Sequence, residues 1–267
     1  MQEVIDEQRI SVQRLSRDLA KASATLSPDE ARFLVDAYYM MQKDRIRAGN
    51  QLRALFEAEE PVGVLAWLQD QSETLENQIR RALDKYSLAS PLGEWARSVV
   101  GIGPVIAAGL LAHIDLNKAP TAGHIWRYAG LDPTCKWEKG QKRPFNASLK
   151  SLCWKIGESF VKVSSHEQDI YGKVYLERKA YEKDKNDAGA YSAQAAAILV
   201  SRPSHAQKAT YATGKLPDGH IHARAKRYAV KLFLAHYWQR GRELAGLPVP
   251  LPYAVAILGH AHISAPK

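Results

Sequence analysis

Two glycines around one apolar residue, Gly101-Ile102-Gly103, are the most specific chemical signal in the sequence. Glycine allows the positive φ angles of a tight hairpin and lets another backbone approach closely, because it has no side chain. Pro104 follows and favours the start of a helix, whose first N–H groups have no partner within the helix. These N–H groups and the positive end of the helix dipole can bind a phosphate oxygen. The spacing therefore predicts a phosphate site at Gly101, Ile102, Gly103 and Val105.

The residues on both sides of this hinge extend the pattern. Ala96 and Val99 precede the glycines, and Ala107, Leu110 and Leu111 follow at helical spacing. The pattern resembles the helix-hairpin-helix motif, which implies contacts with a nucleic-acid backbone that are largely independent of base sequence. The alternative is a glycine-linked pair of helices that only turns a corner in a hydrophobic core.

A basic segment with one tryptophan occupies residues 136–143, and four of its eight residues are basic. Such a loop can lie along a nucleic-acid backbone while the tryptophan stacks on a base or sugar, or it can be a disordered loop without a ligand. Asn146 then favours the N-cap of a helix, and Lys150 follows near the start of that helix. With one lysine of an earlier loop, the expected binding residues are Lys118, Lys136, Trp137, Lys139, Lys142, Arg143, Asn146 and Lys150.

A second group of cations lies in the last long helix that the periodicity predicts, over residues 220–244. Arg224, Arg227 and Lys231 are spaced i, i+3 and i+7, so they share one stripe of this helix. The stripe could follow one DNA strand, or these cations could pair with acidic residues of the N-terminal segment. The spacing alone favours neither interpretation.

Catalytic and metal-binding signals are weak. His220 with His222, and His260 with His262, could each offer two imidazoles, but neither pair has a carboxylate or cysteine at ligand spacing. Tyr128 could serve in principle as a recombinase nucleophile, although its neighbours favour a packing role. We therefore expect no metal and no cofactor, and we assign no catalytic residue.

The order of the segments around the hinge resembles a known family. The run GIGPVIAAGLLAHI, then WRYAGLDP, a basic loop and N-x-x-L-K are similar to the C-terminal domain of insertion-sequence transposases related to the Piv DNA invertase. That group includes bridge-RNA-guided recombinases. Residues 128–133 match the family's Tyr-Ala-Gly-Leu-x-Pro segment, and Asn146, Leu149 and Lys150 match its Gly-Asn-x-x-Leu-Arg element. The resemblance spans about residues 92–160 and implies DNA binding.

The chain differs from this family at the positions that carry out the family's catalytic chemistry. Family members carry an N-terminal ribonuclease-H-like domain with metal-binding acidic residues, and a nucleophilic serine in a Ser-Gly element. The serine position falls here at about Glu138, and no serine lies between Thr134 and Ser148. Residues 1–90 show helical periods and no apolar strand that carries an aspartate. The resemblance therefore extends to nucleic-acid binding and not to strand transfer.

The elements that position these residues are predicted to be helices, so the fold class is all-α. A polar amphipathic helix is expected over residues 2–24. Ser27, Pro28 and Glu30 give the start signal of a second helix that runs toward residue 59, and Pro61 opens a third. Later helices are expected to follow Ser90, Gly103 and Asn146, and to cover residues 124–129, 168–184, 191–200 and 220–244. A long polar loop, the best candidate for a mobile segment or for one ordered by a partner, precedes Gly219.

The distribution of charged residues divides the chain at about the same position as these motifs do. Residues 1–90 carry 12 Lys and Arg against 15 Asp and Glu, whereas the remaining residues carry 25 against 13. We expect residues 1–89 to form a helical hairpin or coiled-coil-like module for packing or homodimerisation. Residues 90–267 are expected to form a basic DNA-binding domain with a C-terminal helical extension. A basic surface that binds only solvent is the alternative.

Segments for export or membrane insertion are not expected. No apolar run approaches the roughly 20 residues of a membrane span, and the polar N-terminus does not resemble a secretory signal. We therefore expect a cytoplasmic location and no membrane partner. Cys135 and Cys153 lack the spacing of a disulfide framework or zinc knuckle.

The sequence favours a protein that binds the phosphate backbone of DNA with little base preference. The DNA could be duplex, branched or single-stranded, and RNA also fits this chemistry. One alternative is an active transposase or site-specific recombinase with an unrecognised nucleophile, or with carboxylates supplied in trans. Another is a mobile-element or phage factor whose long helices bind a partner protein.

Overall fold

The structure, a computed structural model, describes residues 14–135 and 137–250. These ranges contain eleven α-helices, two short 3-10 helices and no strand, which confirms the all-α prediction. The α-helices are α1 (Arg17–Ala22), α2 (Pro28–Glu57), α3 (Gly63–Leu88), α4 (Pro91–Ser98), α5 (Pro104–His113), α6 (Ala122–Tyr128), α7 (Ala147–Lys162), α8 (Tyr171–Asp187), α9 (Ser192–Ser201), α10 (Lys208–Ala212) and α11 (Asp218–Leu244). The 3-10 helices are Ser23–Thr25 and Leu116–Lys118.

Internal contacts divide the chain into two compact units. The first unit comprises Met1–Arg97 and Gly103–Ile114, and the second comprises Ser98–Ile102 and Asp115–Lys267. The two segments of each unit are thus separated in sequence. The domain boundary that we expect at residue 90 stays a prediction.

In the first unit, α2 and α3 form an antiparallel hairpin against which α5 packs. Arg45 pairs with Glu76 at 2.6 Å between Nε and Oε2. Val35 and Leu83 form a buried cluster with Val105 and Ala108 of α5. The helices are amphipathic, so burying one side of each against the other two stabilises all three.

The helix starts of this unit follow local capping signals. Ser27 and Glu30 form a capping box, in which the Ser27 Oγ accepts from the Glu30 N at 3.2 Å and the Glu30 Oε2 accepts from the Ser27 N at 2.8 Å. The predicted start of α2 is therefore confirmed. The predicted start at residue 2 lies outside the described residues, and in the described part the first helix begins only at Arg17. Ser16 is its N-cap, because its side chain accepts a bond from the Leu19 N–H.

In the second unit, α7, α8 and α11 enclose an aromatic core. The rings of Phe160, Tyr171 and Phe233 lie 5.0 to 5.5 Å apart between centroids. The Tyr171 hydroxyl lies 2.8 Å from the Nδ1 of His236, which is also buried. The apolar side predicted for α7 is confirmed, since all five of its members are buried: Leu149, Leu152, Cys153, Ile156 and Phe160.

The segment between α9 and α11 differs from the predicted polar loop, because it contains α10. Tyr211 and Leu216 are buried with Ala195 and Ile221 in a small separate cluster. Asn186 fixes this segment, since its side chain donates to the Leu216 O at 2.9 Å and accepts from the Leu216 N at 2.8 Å. The prediction of an unstructured loop was wrong because the buried residues are too few and too widely spaced to give a periodic pattern.

Glu182 of α8 is a buried carboxylate with three donors. The residue is 1% exposed. Arg178 donates to Oε1 at 2.6 and 2.8 Å, Arg224 donates to Oε2 at 2.7 Å, and the Tyr191 hydroxyl also donates to Oε2. Burial alone would raise the pKa of Glu182, but the hydrogen bonds from Tyr191, Arg224 and Arg178 lower it to about 2.

We expect Glu182→Gln to remove a pH-dependent part of the stability. A free glutamate has a pKa of 4.5 and the folded one a pKa of about 2, so the unfolded state binds more protons between these values. The unfolding free energy of the wild type should therefore fall as the pH drops through this window, and the variant should lack this decrease. At neutral pH the variant should be less stable by about 3 kcal/mol, because two guanidinium groups lose their carboxylate.

Urea unfolding followed by circular dichroism at a series of pH values measures both effects. Glu177→Gln, at an exposed position of the same helix, is the matched control. The interpretation fails if the two variants show the same stability at every pH.

Candidate nucleic-acid interface

The glycine hinge adopts a left-handed backbone at one residue. Gly101 has a φ of +93°, and the Ile102 N donates to the Val99 O at 2.9 Å. Gly103 has φ −86° and ψ 177°, an extended conformation that any residue can adopt. The positive φ that we expected of the glycine pair is therefore confirmed for Gly101 and wrong for Gly103.

Within the second unit, Gly101 lies against α7. The Ser159 hydroxyl donates to the Gly101 O at 2.5 Å. A Cβ at Gly101 would lie 3.2 Å from Val163 and 3.3 Å from Phe160, and the Ile102 side chain is buried. The Ile102 side chain is therefore not available for the predicted phosphate contact, and its N–H group already donates to the Val99 O.

The N-terminus of α5 in the first unit has no side-chain cap. Gly103 is its N-cap residue and Pro104 its first residue, as predicted. A Cβ built on Gly103 would meet no atom within 4 Å. The Val105 side chain belongs to the core formed with Val35 and Leu83, so Val105 too could contact a ligand only through its N–H group.

Asn146 joins the two segments that carry the family resemblance. Its Oδ1 accepts from the Leu149 N at 2.8 Å, which confirms the predicted N-cap of α7. Its Nδ2 donates to the Tyr128 hydroxyl at 2.9 Å, and its backbone N donates to the Tyr128 O at 2.8 Å. These bonds fix the end of α6 against the start of α7.

Gly130 makes this junction possible. It has a φ of +64°, and a Cβ would lie 2.9 Å from the Phe145 ring and 3.0 Å from the Lys150 Cδ. Any other residue would strain the backbone and displace these neighbours. Lys150 covers the Phe145 ring at 4.2 Å from its centroid, so its ammonium group lies beside the turn that follows α6.

α11 adds cations to the same turn. The Trp126 Nε1 donates to the Lys231 O at 2.9 Å, and the Lys231 Nζ lies 4.1 Å from the Trp126 ring centroid. Burial lowers the pKa of Lys231, Arg227 lowers it further, and Asp132 opposes both. The charged groups of Lys231, Arg227 and Asp132 are therefore close in space.

Asp132 also links this group to α6. Hydrogen bonds from Thr134 lower the pKa of Asp132, and the charges of Arg127 and Lys231 lower it further. Four cations thus lie near the turn after α6. We call them the α6 cluster: Arg127, Lys150, Arg227 and Lys231.

The basic segment 137–143 lies on the surface. The Trp137 Nε1 donates to the Gln141 O at 2.8 Å, and the Arg143 guanidinium lies 5.4 Å from the Trp137 ring centroid. Lys139 and Lys142 are exposed. Lys136 lies outside the described residues. Lys118 is exposed and pairs with Asp115 at 3.3 Å.

The three cations of the predicted stripe on α11 lie in two different environments. Arg227 and Lys231 belong to the α6 cluster, whereas Arg224 pairs with Glu182 of α8. That partner belongs to the second unit and not to the N-terminal segment that we considered. Arg127 is a member of the cluster that the sequence did not single out, although its place directly before Tyr128 in the matched segment was a signal.

Metal ligation finds no support in the described residues. Residues 14–135 and 137–250 contain no group of three His, Cys, Asp or Glu side chains that could bind a metal ion. The Nδ1 of His222 instead lies 2.8 Å from the Tyr175 hydroxyl. His260 and His262 lie outside the described residues. In the same ranges, no helix has the length and apolar character that a membrane span requires.

Comparison with known proteins supports the relationship to transposases. Residues 94–143 match the family model described as Transposase IS116/IS110/IS902 family. The matched range includes α5, α6 and the basic segment, and it ends shortly before Asn146. Comparisons with curated proteins and with solved structures found no match. This part of the chain is therefore similar to a segment of that transposase family.

The two hinge glycines should differ in their response to alanine. Gly101→Ala should lower the unfolding free energy by about 1 to 2 kcal/mol, because its φ is left-handed and its neighbours on α7 are close. Gly103→Ala should change it by less than about 0.5 kcal/mol, because the backbone is extended and the space is open. Urea unfolding measures both values, and equal losses would contradict the assigned roles.

Proposed function

We propose that this protein is a transposase-related DNA-binding protein that binds the phosphate backbone with little base preference. The observation that carries the proposal is the position of the family match. Residues 94–143 include the hinge, α6 and the turn around which the α6 cluster lies. The matched segment therefore supplies Arg127 and the turn, while Lys150, Arg227 and Lys231 approach this turn from outside the matched range.

The chemistry of the α6 cluster supports this proposal. Arg127, Lys150 and Arg227 are exposed, and Lys231 is held beside them on the Trp126 ring. Adjacent cations repel one another, so an approaching polyanion gains energy from all of them and releases its own counterions. Lys and Arg contacts with phosphate do not depend on the base, which explains why we expect weak sequence preference.

Two further elements extend the proposed interface. In the first unit, considered by itself, the backbone N–H groups at the start of α5 could donate to a phosphate oxygen. Trp137, covered by Arg143, offers an aromatic face beside the exposed Lys139 and Lys142. The position of the family serine falls at about Glu138, so we propose binding without strand transfer.

Binding should weaken when the α6 cluster loses charge. We expect the triple variant Arg127→Ala, Lys150→Ala, Arg227→Ala to bind a fluorescent duplex at least about tenfold more weakly, with a salt slope reduced by about 3. The matched control removes three exposed cations of the first unit, Lys43, Arg47 and Arg81, and should bind like the wild type. Fluorescence anisotropy at several salt concentrations measures both.

Two results would contradict this proposal. An equal loss in both triple variants would show that only net charge matters. Cleaved or exchanged strands on supercoiled or branched DNA with Mg²⁺ would support an active recombinase instead.

We also propose that two copies associate through α2 and α3. Both helices of this hairpin expose large apolar side chains, since Phe33 is 74% exposed, Val64 80% and Trp67 59%. Patches of this kind usually mark an interaction surface. Long paired helices can present the same exposed apolar side chains to a second copy, which suits a symmetric interface.

Charged substitutions on this hairpin should therefore separate the copies. We expect the wild type to sediment as a dimer and the double variant Phe33→Asp, Trp67→Asp to sediment as a monomer, because burying two carboxylates is costly. Val200→Asp, at an apolar position of α9 that is also exposed, should leave the dimer intact. A monomeric wild type at all concentrations in analytical ultracentrifugation would overturn the proposal.

A further inference from the structure

Two tyrosines and one arginine form an exposed stack on α8 and α11. The Arg178 guanidinium lies 4.8 Å from the Tyr181 ring centroid and 4.4 Å from the Tyr228 ring centroid. Tyr181 is 48% exposed and Tyr228 44% exposed. Lys185 adds an ammonium group 5.1 Å from the Tyr181 ring. Both tyrosine residues are thus about half exposed, with cations beside their rings.

The Glu182 carboxylate holds the Arg178 guanidinium of this stack in place. Both Arg178 bonds to the Glu182 Oε1 are short, and Glu182 is buried. The guanidinium plane therefore has little freedom, and the two rings that it contacts are ordered before any ligand arrives. Preordered side chains lose little entropy on binding.

The stack adjoins the α6 cluster. Tyr228 directly follows Arg227 on α11 and lies three residues before Lys231. Residues three apart are neighbours on a helix surface. A polyanion bound at Arg227 and Lys231 would therefore reach Tyr228 without leaving the surface of the second unit.

We propose that Tyr181 and Tyr228 stack on the bases of an unpaired nucleic-acid strand that continues from the α6 cluster. This inference rests on the proposed function and specifies its ligand. Base faces are hidden within a duplex, whereas an unpaired strand exposes them to aromatic rings, and cations beside the rings bind its phosphates. The protein should therefore prefer a duplex that carries a single-stranded overhang to a blunt duplex.

The experiment compares three fluorescent probes by anisotropy: a blunt duplex, the same duplex with a DNA overhang of about ten nucleotides, and the same duplex with an RNA overhang of equal length. The wild type should bind at least one overhang probe about tenfold more tightly than the blunt duplex. The double variant Tyr181→Ala, Tyr228→Ala should lose this gain and keep its affinity for the blunt duplex. The two overhang arms show whether DNA or RNA is the preferred strand.

Two control variants test the role of the rings. Tyr181→Phe, Tyr228→Phe keeps both aromatic faces and should keep the gain. Trp154→Ala removes an exposed ring that Lys226 covers at 5.7 Å. Lys226 lies two residues before Tyr228, which places it on another side of α11. The Trp154→Ala variant should therefore also keep the gain in affinity for the overhang probe.

The outcomes separate this inference from the proposed function. A wild type that binds the blunt duplex and gains nothing from either overhang overturns the stacking site alone, whereas a wild type that binds no probe overturns both. Equal losses in Trp154→Ala and in the double alanine variant also overturn the site. Photocrosslinking of an overhang that contains 5-iodouracil, followed by mass spectrometry, should modify Tyr181 or Tyr228, and crosslinks confined to other residues would contradict the assignment.

Discussion

The hydrogen bonds between Asn146 and Tyr128 are the constraint on which the proposed interface depends. One side chain caps α7 and at the same time binds the hydroxyl at the end of α6. The turn that directly follows α6 can be tight only because Gly130 has no Cβ. Without this junction, Lys150 would have no fixed position relative to the cations of α6 and α11.

A second constraint comes from Glu182. Its negative charge is buried, so it must be compensated by donors within the protein. Arg178 and Arg224 supply this compensation, and Arg224 is consequently engaged away from the α6 cluster. The same carboxylate orders Arg178, and Arg178 in turn orders two exposed tyrosine rings.

Local signals in the sequence predicted the starts of α2, α5 and α7 and the all-α class. Ser27 and Asn146 act within their own first turn, so their roles depend on residues only three positions away. The buried side of α7 was also predictable, because its apolar residues recur at helical spacing. Long-range partners were not predictable in this way. The spacing of Arg224 shows that it lies on a stripe, but it does not specify that Glu182, far away in sequence, lies beneath it. For the same reason, the motif at Val105 did not reveal that this side chain packs against α2 and α3.

The order of segments along the chain has a consequence for synthesis on the ribosome. The α2–α3 hairpin is complete once Leu88 has been made, but Val105 and Ala108, which close its buried cluster, arrive only after the five residues Ser98–Ile102 of the other unit. The nascent hairpin therefore presents an uncovered apolar side until α5 emerges from the exit tunnel. During that interval the chain is exposed to aggregation and to chaperones that recognise apolar surface.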